Sequence, residues 1–193
     1  MAGIKQFDEQ EVFEKAMKVF WDKGFAATSL QEIADLTGLK RGSLYNAYQT
    51  KEQFFLKVFE QHKNGLLAQI RHSLEDSDLR LAFQHYFDFI IDSMLQGQPS
   101  RGCLSTKVAL DSGALNDDIR HALLTLLEEI EAIMLARLSQ ATPSDKLKLS
   151  PIEAATLLVT FTRGLVVIER VYQSKEKLQR NAALFLKTLF DGA

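Results

Sequence analysis

Three prolines among 193 residues, Pro99, Pro143 and Pro151, constrain this chain more than any other feature. All three fall in polar or glycine-containing stretches, and none interrupts a periodic apolar segment. Proline lacks a backbone N–H and its ring collides with the preceding helical turn, so it breaks helix interiors. A chain that keeps proline out of every apolar run is free to be helical throughout, and the apolar spacing agrees.

Val12, Phe13, Ala16, Val19 and Phe20 recur at i, i+1, i+4, i+7 and i+8, which predicts a helix over 8–23 ended by Gly24. Ser29 and Glu32 form an S-x-x-E capping box for a short helix that buries Leu30, Ile33 and Ala34 and ends at Gly38. A third short helix is expected over 40–48. Thr50 and Gln53 form a second capping box, opening a helix through Phe54, Phe55, Val58, Phe59, Leu66 and Ile70 to about Ser73. Further helices are expected over 78–95, 103–110, 116–140, 151–173 and 175–190, with a loop over 96–101 that holds Gly97 and Pro99. Asn116 caps one of them, with Asp117 and Asp118 in its first turn. Ser150, Pro151 and Glu153 open another, with proline at the first helical position. Leu157 to Val171 is rich in strand-forming Val, Ile, Thr and Phe. Its preceding N-cap, its length and the spacing of Leu157, Leu158, Phe161, Leu165 and Ile168 favour helix instead. The fold class is therefore all-α.

Composition narrows the function. Apolar runs are broken by charge before the ~20 residues of a membrane span, which predicts no membrane partner. Residues 1–11 carry no apolar signal segment. Cys103 is the only cysteine, so no intrachain disulfide can form, and a cytoplasmic location is expected. His62, His72, His85 and His121 have no metal-ligand spacing with a second His or Cys, and Asp118-x-x-His121 is half of a bundle metal motif at most. No metal, no cofactor and no catalytic residue are expected. The net charge of −2 does not favour nucleic acid, and residues 1–60 hold eight Lys/Arg against nine Asp/Glu. Any nucleic-acid contact has to come from a local basic patch.

That patch lies in the two short helices. Thr28-Ser-Leu-Gln-Glu-Ile-Ala-Asp-Leu-Thr-Gly38 is followed by Leu39-Lys-Arg-Gly-Ser-Leu-Tyr-Asn-Ala-Tyr48. A capped short helix, a glycine turn and a second short helix make a helix-turn-helix. In that motif the start of the second helix faces base edges in the major groove, here Lys40, Arg41, Gly42 and Ser43. Gly42 disfavours helix, a cost that makes sense where a backbone must approach DNA closely. Thr28, Ser29, Thr50 and Lys51 sit at helix N-termini that favour a phosphate. From Lys40 to Lys57 there are four basic residues and one acidic. The plainer reading of Lys40 and Arg41 is a solvated helix face.

The stretch Phe25–Phe55 resembles the TetR-family DNA-binding signature. The matching residues are Thr28-Ser29, Ile33-Ala34, Gly38, Gly42-Ser43-Leu44-Tyr45, an aromatic at Tyr48, and Lys51-Glu52. The resemblance implies phosphate contacts from Thr28, Tyr45 and Lys51, and base or groove contacts from Lys40, Arg41, Ser43 and Asn46. It implies packing roles for Leu39, Leu44 and Tyr48, the last standing where the family more often has phenylalanine. Ser29, Gly42 and Tyr48 complete the DNA-binding set. The layout implied is a helix-turn-helix domain over 1–50 and a helical ligand-binding and dimerisation domain over 51–193. The last two long helices would form a homodimer interface. The expected function is a ligand-responsive repressor that binds a palindromic double-stranded operator and is released by a small molecule.

Bundles commonly place ligand sites between helices. The candidate pocket is Phe59, His62, Phe83, Tyr86, Phe87, Ile90, Met94, Cys103 and Phe161, each of which also suits plain core. Arg101 and Lys107 near Cys103 would lower its thiol pKa and make it a sensor of electrophiles or oxidants. The alternative use is a small buried apolar residue. Two other functions fit the sequence: an activator or effector-independent DNA binder, and, more distantly, a helical-bundle enzyme or metal protein.

Overall fold

The computed structural model describes residues 8–97, 100–111 and 116–190. Pro99, placed in a loop above, lies outside them. The described residues form nine α-helices: α1 (Glu9–Lys23), α2 (Leu30–Thr37), α3 (Arg41–Tyr48), α4 (Lys51–Ser73), α5 (Leu79–Met94), α6 (Leu104–Leu110), α7 (Asp117–Leu138), α8 (Pro151–Tyr172) and α9 (Lys175–Leu189). Each expected helix is present, with ends within about two residues. A single 3₁₀ turn at Pro143–Asp145 and an isolated antiparallel bridge between Leu147 and Phe190 were not anticipated.

The chain packs as two compact units, one of residues 1–64 and 104–123, the other of 65–103 and 124–193. They do not divide at residue 50: the first unit takes in the start of α4 and all of α6. Its core is aromatic. Phe20, Phe54, Phe55 and Phe59 are fully buried. Phe20 and Phe25 each meet the Phe55 ring edge-on at 5.0 Å, and Tyr48 meets Phe54 at 4.9 Å. Such pairs contribute about 0.5–1.5 kcal/mol each beyond the area they bury.

In the second unit, α5 turns Ala82, Phe83, Tyr86, Phe87, Ile90, Ile91 and Met94 inward. Leu158 and Leu165 of α8 and Leu178, Ala182 and Leu186 of α9 are buried as well, and α9 packs on both α5 and α8. Phe161 and Phe185 stack face to face at 4.0 Å, with Phe87 edge-on to both. α8 is capped as read from sequence: Ser150 Oγ accepts from the Glu153 N–H, and the Glu153 carboxylate accepts from Ser150 in return.

α8 is long and apolar enough, by length and composition, to cross a membrane, with a mean hydropathy of 1.5 over its apolar window. Glu153, Arg163, Glu169 and Arg170 nevertheless break its apolar run, as the sequence implies. Its inner side carries fully buried Thr162 and Glu169, while Leu157, Val167 and Val171 are exposed.

Candidate nucleic-acid interface

The α2–α3 turn is built from two local devices. Ser29 caps α2 by accepting the Glu32 N–H at 3.2 Å. The expected reciprocal half of that box is absent, because the Glu32 carboxylate is bonded to Lys23 instead. Gly38 closes α2 in the left-handed region, at φ 71°, where a side chain would be strained. The chain then turns into α3, whose N-cap is Lys40, with no side chain capping the first N–H groups.

Burial divides α3 cleanly. Leu44 and Tyr48, one turn apart, are buried, while Lys40, Arg41, Gly42, Ser43, Tyr45 and Asn46 are exposed together. The Arg41 guanidinium lies 5.0 Å over the Tyr45 ring, with Nη2 3.4 Å from its hydroxyl. A methyl group at Gly42 would meet nothing within 4 Å. The fold therefore does not require glycine there, which leaves the space beside that backbone to a partner.

Two expected contact residues stand behind this surface. Thr28 is 2% exposed and its hydroxyl donates to the Gly24 carbonyl at 2.7 Å. Its single proton is thus engaged within the turn. Tyr48 is buried and donates to a Glu9 carboxylate oxygen at 2.5 Å. Burial, then the Glu9 carboxylate, hold its phenol well above the usual tyrosine range. Tyr48 is thus a packing residue whose hydroxyl is satisfied, and Glu9 is a partner that the sequence reading missed.

Lys51, at the start of α4, is half-buried. Its ammonium donates to the Phe25 carbonyl at 3.0 Å and the Ala26 carbonyl at 3.4 Å, and sits 4.3 Å over the Phe25 ring. An ammonium has three donors, so one N–H is left for an anion. Ser29 is exposed at the α2 N-terminus, and Thr50 caps α4 by accepting the Gln53 N–H at 3.1 Å. From the other side, Lys107 of α6 donates to the Trp21 carbonyl, and Asp111 accepts the Ala26 N–H at 3.2 Å. Neither residue was legible as part of this site, since they lie some 85 positions away in sequence.

The candidate pocket residues fall in different units. Phe59 and His62 belong to the first, where the Trp21 ring stands edge-on to His62 at 4.8 Å. The others belong to the second, where Phe83, Tyr86, Phe87, Ile90 and Met94 are packed within the core. Tyr86 is fully buried, its hydroxyl 3.1 Å from Thr162 Oγ1. Burial raises its phenol pKa, against the opposing pull of Arg163 and Thr162. Arg163 is a basic group at Cys103 that the sequence reading did not name, its Nη1 3.6 Å from Sγ. Lys107, expected beside the thiol, is turned to Trp21, and Arg101 donates to Ser93 at 2.9 Å. Burial lowers the Arg101 pKa and the Cys103 sulfur opposes that shift. A separate open groove of about 400 Å³ lies between α4 and α7, lined by Leu74, Ala132, Ile133 and Ala136 with Arg71, Glu129, Arg137 and Gln140. None of the candidate residues lines it. Among the described residues no group of three metal-ligating side chains comes together.

Comparison with known proteins bears on both units. Residues 12–58 match the family described as bacterial regulatory proteins, tetR family, and residues 78–185 match the tetracyclin repressor-like C-terminal domain. The chain is 27% identical over 186 residues to the HTH-type transcriptional repressor DhaR of Mycobacterium sp. strain GP1, covering 94% of this chain and 90% of that one. It is 31% identical over 127 residues to the repressor ComR of Escherichia coli K12, covering 62% and 60%. The structure of the regulator CifR, a cysteine mutant solved with 26-bp operator DNA, superposes with a TM-score of 0.84 at 22% identity, covering 96% and 98%. A helix-turn-helix with an exposed polar face and a helical domain that follows the same family along its length lead to one assignment: the chain belongs to the TetR family and is a DNA-binding transcriptional regulator.

Proposed function

We propose that the protein is a repressor, not an enzyme, that binds a palindromic operator in the cytoplasm as a homodimer and is released by a small molecule. The observation that carries the DNA-binding part is the face of α3, where six polar or small residues lie exposed over buried Leu44 and Tyr48. Lys40, Arg41, Ser43 and Asn46 reach base edges or the groove, and Tyr45 and Lys51 reach phosphates. The names of DhaR and ComR support repression.

The dimer reading rests on α8. Leu157, Thr160, Gly164, Val167 and Val171 are exposed at spacings of three, four, three and four. That is the seam spacing of packed helices. Gly164 has no neighbour within 4 Å and lets a second backbone come close. Leu184 of α9 is 52% exposed as well. A second copy of the chain covers this face better than lipid does, because the same helix carries buried Glu169.

Our reading puts the effector site among the aromatic residues of α5, α8 and α9. Phe83, Phe87, Ile90, Met94 and Phe161 supply apolar contact, and Tyr86 with Thr162 supplies a polar handle. These side chains are packed, so an effector has to open them, and it shifts the equilibrium only by its preference for the opened form. A second trigger has one specific observation behind it: the Arg163 guanidinium beside Cys103 suits a reactive thiolate. Alkylation of Cys103 no faster than that of a free thiol would remove that reading.

The test is selection of bound duplexes from a random pool, followed by affinity of the winner in rising salt. A palindromic winner with a steep salt slope is expected. An enriched site without two-fold symmetry contradicts the dimeric reading.

A further inference from the structure

The first unit holds its α1–α2 turn in an unusual way. The turn runs from Gly24 to Thr28 and delivers Ser29, the cap of α2. Four polar bonds fix it. Thr28 Oγ1 donates to the Gly24 carbonyl at 2.7 Å within the turn. Lys51 Nζ donates to the carbonyls of Phe25 and Ala26 from α4. Asp111, just past the end of α6, accepts the Ala26 N–H at 3.2 Å. A methyl at Gly24 would stand 3.9 Å from the same Asp111 oxygen, so the carboxylate lies close along the turn. Lys107, one turn earlier on α6, donates to the Trp21 carbonyl near the end of α1. Ala26 is therefore held at both polar groups, its carbonyl by Lys51 and its N–H by Asp111.

None of the α6 residues lies on the exposed face of α3, so they have no direct part in reading DNA. Yet they fix the segment from which α2 starts, and α2 packs on α3. The chemistry is matched to the task. A carboxylate on a backbone N–H and an ammonium on a helix-end carbonyl are charge-assisted bonds, stronger and more directional than apolar contact. They hold a position rather than merely bury a surface.

We propose that Asp111 and Lys107 are positioning residues for operator binding, setting the α1–α2 turn, and through it α2 and α3, in the DNA-competent arrangement. The proposal rests on the reading of α3 as the DNA-facing helix. It makes α6 a polar strap: releasing its two bonds weakens operator binding without removing any group that touches DNA. α6 begins at the residue after Cys103, so a change at that cysteine is one peptide bond from the strap.

The experiment uses the full-length chain and the duplex that the wild type enriches from a random pool. Three variants are compared: Asp111→Ala, Asp111→Asn and Lys107→Met. Asp111→Ala is expected to lower operator affinity about three- to tenfold, the range for a lost charge-assisted bond to an amide that water can reach. The dependence on salt concentration should keep its slope, since no phosphate contact is removed. Amide exchange at Ala26 should quicken. Asp111→Asn keeps an acceptor oxygen and should restore both affinity and protection. Lys107→Met keeps the aliphatic stem, removes the donor and should weaken binding in the same direction. Should Asp111→Ala fail to fold, the contrast between Asp111→Asn, near wild type, and Lys107→Met, weakened, decides the matter. Wild-type affinity in both Asp111→Ala and Lys107→Met overturns the proposal, as does a loss that follows a fall in thermal midpoint and is not rescued by Asp111→Asn. A wild-type chain that enriches no duplex at all removes the DNA-facing reading itself, and the strap with it.

Discussion

Gly42 distinguishes a helix shaped for a partner from one shaped for its own fold. Its missing side chain is not demanded by any neighbour, and alanine favours helix over glycine by about 1 kcal/mol. Gly42→Ala is expected to raise the thermal midpoint while lowering operator affinity. A parallel rise in both would mean the glycine has no role at the DNA. Arg41→Ala should cost about 1–3 kcal/mol on the operator and relax preference at one base position, read by repeating the selection. Tyr48→Phe removes the bond to Glu9 and should lower stability by about 1 kcal/mol in a denaturant titration, with little change in affinity of the folded protein. Much at this scale was legible. The family resemblance implied packing roles for Leu44 and Tyr48, and both are buried, with Lys40, Arg41, Gly42, Ser43, Tyr45 and Asn46 exposed. What spacing does not carry is the long-range bond. Glu9 on Tyr48, Asp111 on Ala26 and Arg163 on Cys103 join residues 39, 85 and 60 positions apart. Charges that look adjacent in sequence, such as Lys107 and Cys103, were drawn to other partners.

Among the elements, α8 shows how a cap can outweigh propensity. Its Val, Ile and Thr content suits a strand, yet Ser150, Pro151 and Glu153 satisfy the first N–H groups and commit the segment to helix. Ser150 holds the Glu153 carboxyl below its usual pKa through side-chain and backbone bonds. A depressed carboxyl stabilises the fold above its ordinary pKa, and that contribution is lost as pH falls through the lower folded value. The first turn of α8 should therefore fray only in acid below the ordinary carboxylate range of about 4. Ser150→Ala should return the Glu153 titration toward its usual value, as followed by carboxyl NMR. On the outer side of α8, Val167→Glu costs little in the lone chain because Val167 is 53% exposed. Across a two-fold seam the two introduced carboxylates would face each other, a repulsion of several kcal/mol. Sedimentation should show a monomer that keeps its helical content. A variant that remains dimeric would place the interface elsewhere. The 3₁₀ turn at Pro143–Asp145 was not read because proline and aspartate signal a turn of any kind.

The whole molecule carries a formal net charge of −2, so its attraction to DNA is a property of one face and not of the chain. Association should be correspondingly sensitive to salt through a few contacts. Lys51→Met should weaken binding to all sequences alike and reduce the slope of log affinity against log salt by about one, if its remaining N–H reaches a phosphate. The fold class was legible from proline placement and helical period, because both are local. The grouping of α6 with the DNA-binding helices was not, because it depends on bonds between distant segments.

The short length of α3 has a consequence for information. Eight residues at 1.5 Å rise span about 12 Å, enough to lie against three or four base pairs at about 3.4 Å each. Two copies of the chain would read about seven pairs, a word that recurs by chance about once in 16,000 and so appears about sixty times in every million sites of a genome. Direct contact alone cannot pick out one operator. The remaining discrimination must be written in pairs that no side chain touches, through the ease with which the DNA between the half-sites bends or narrows. Exchanging A·T for G·C at the centre of the enriched duplex should therefore change its affinity, although the protein makes no contact there.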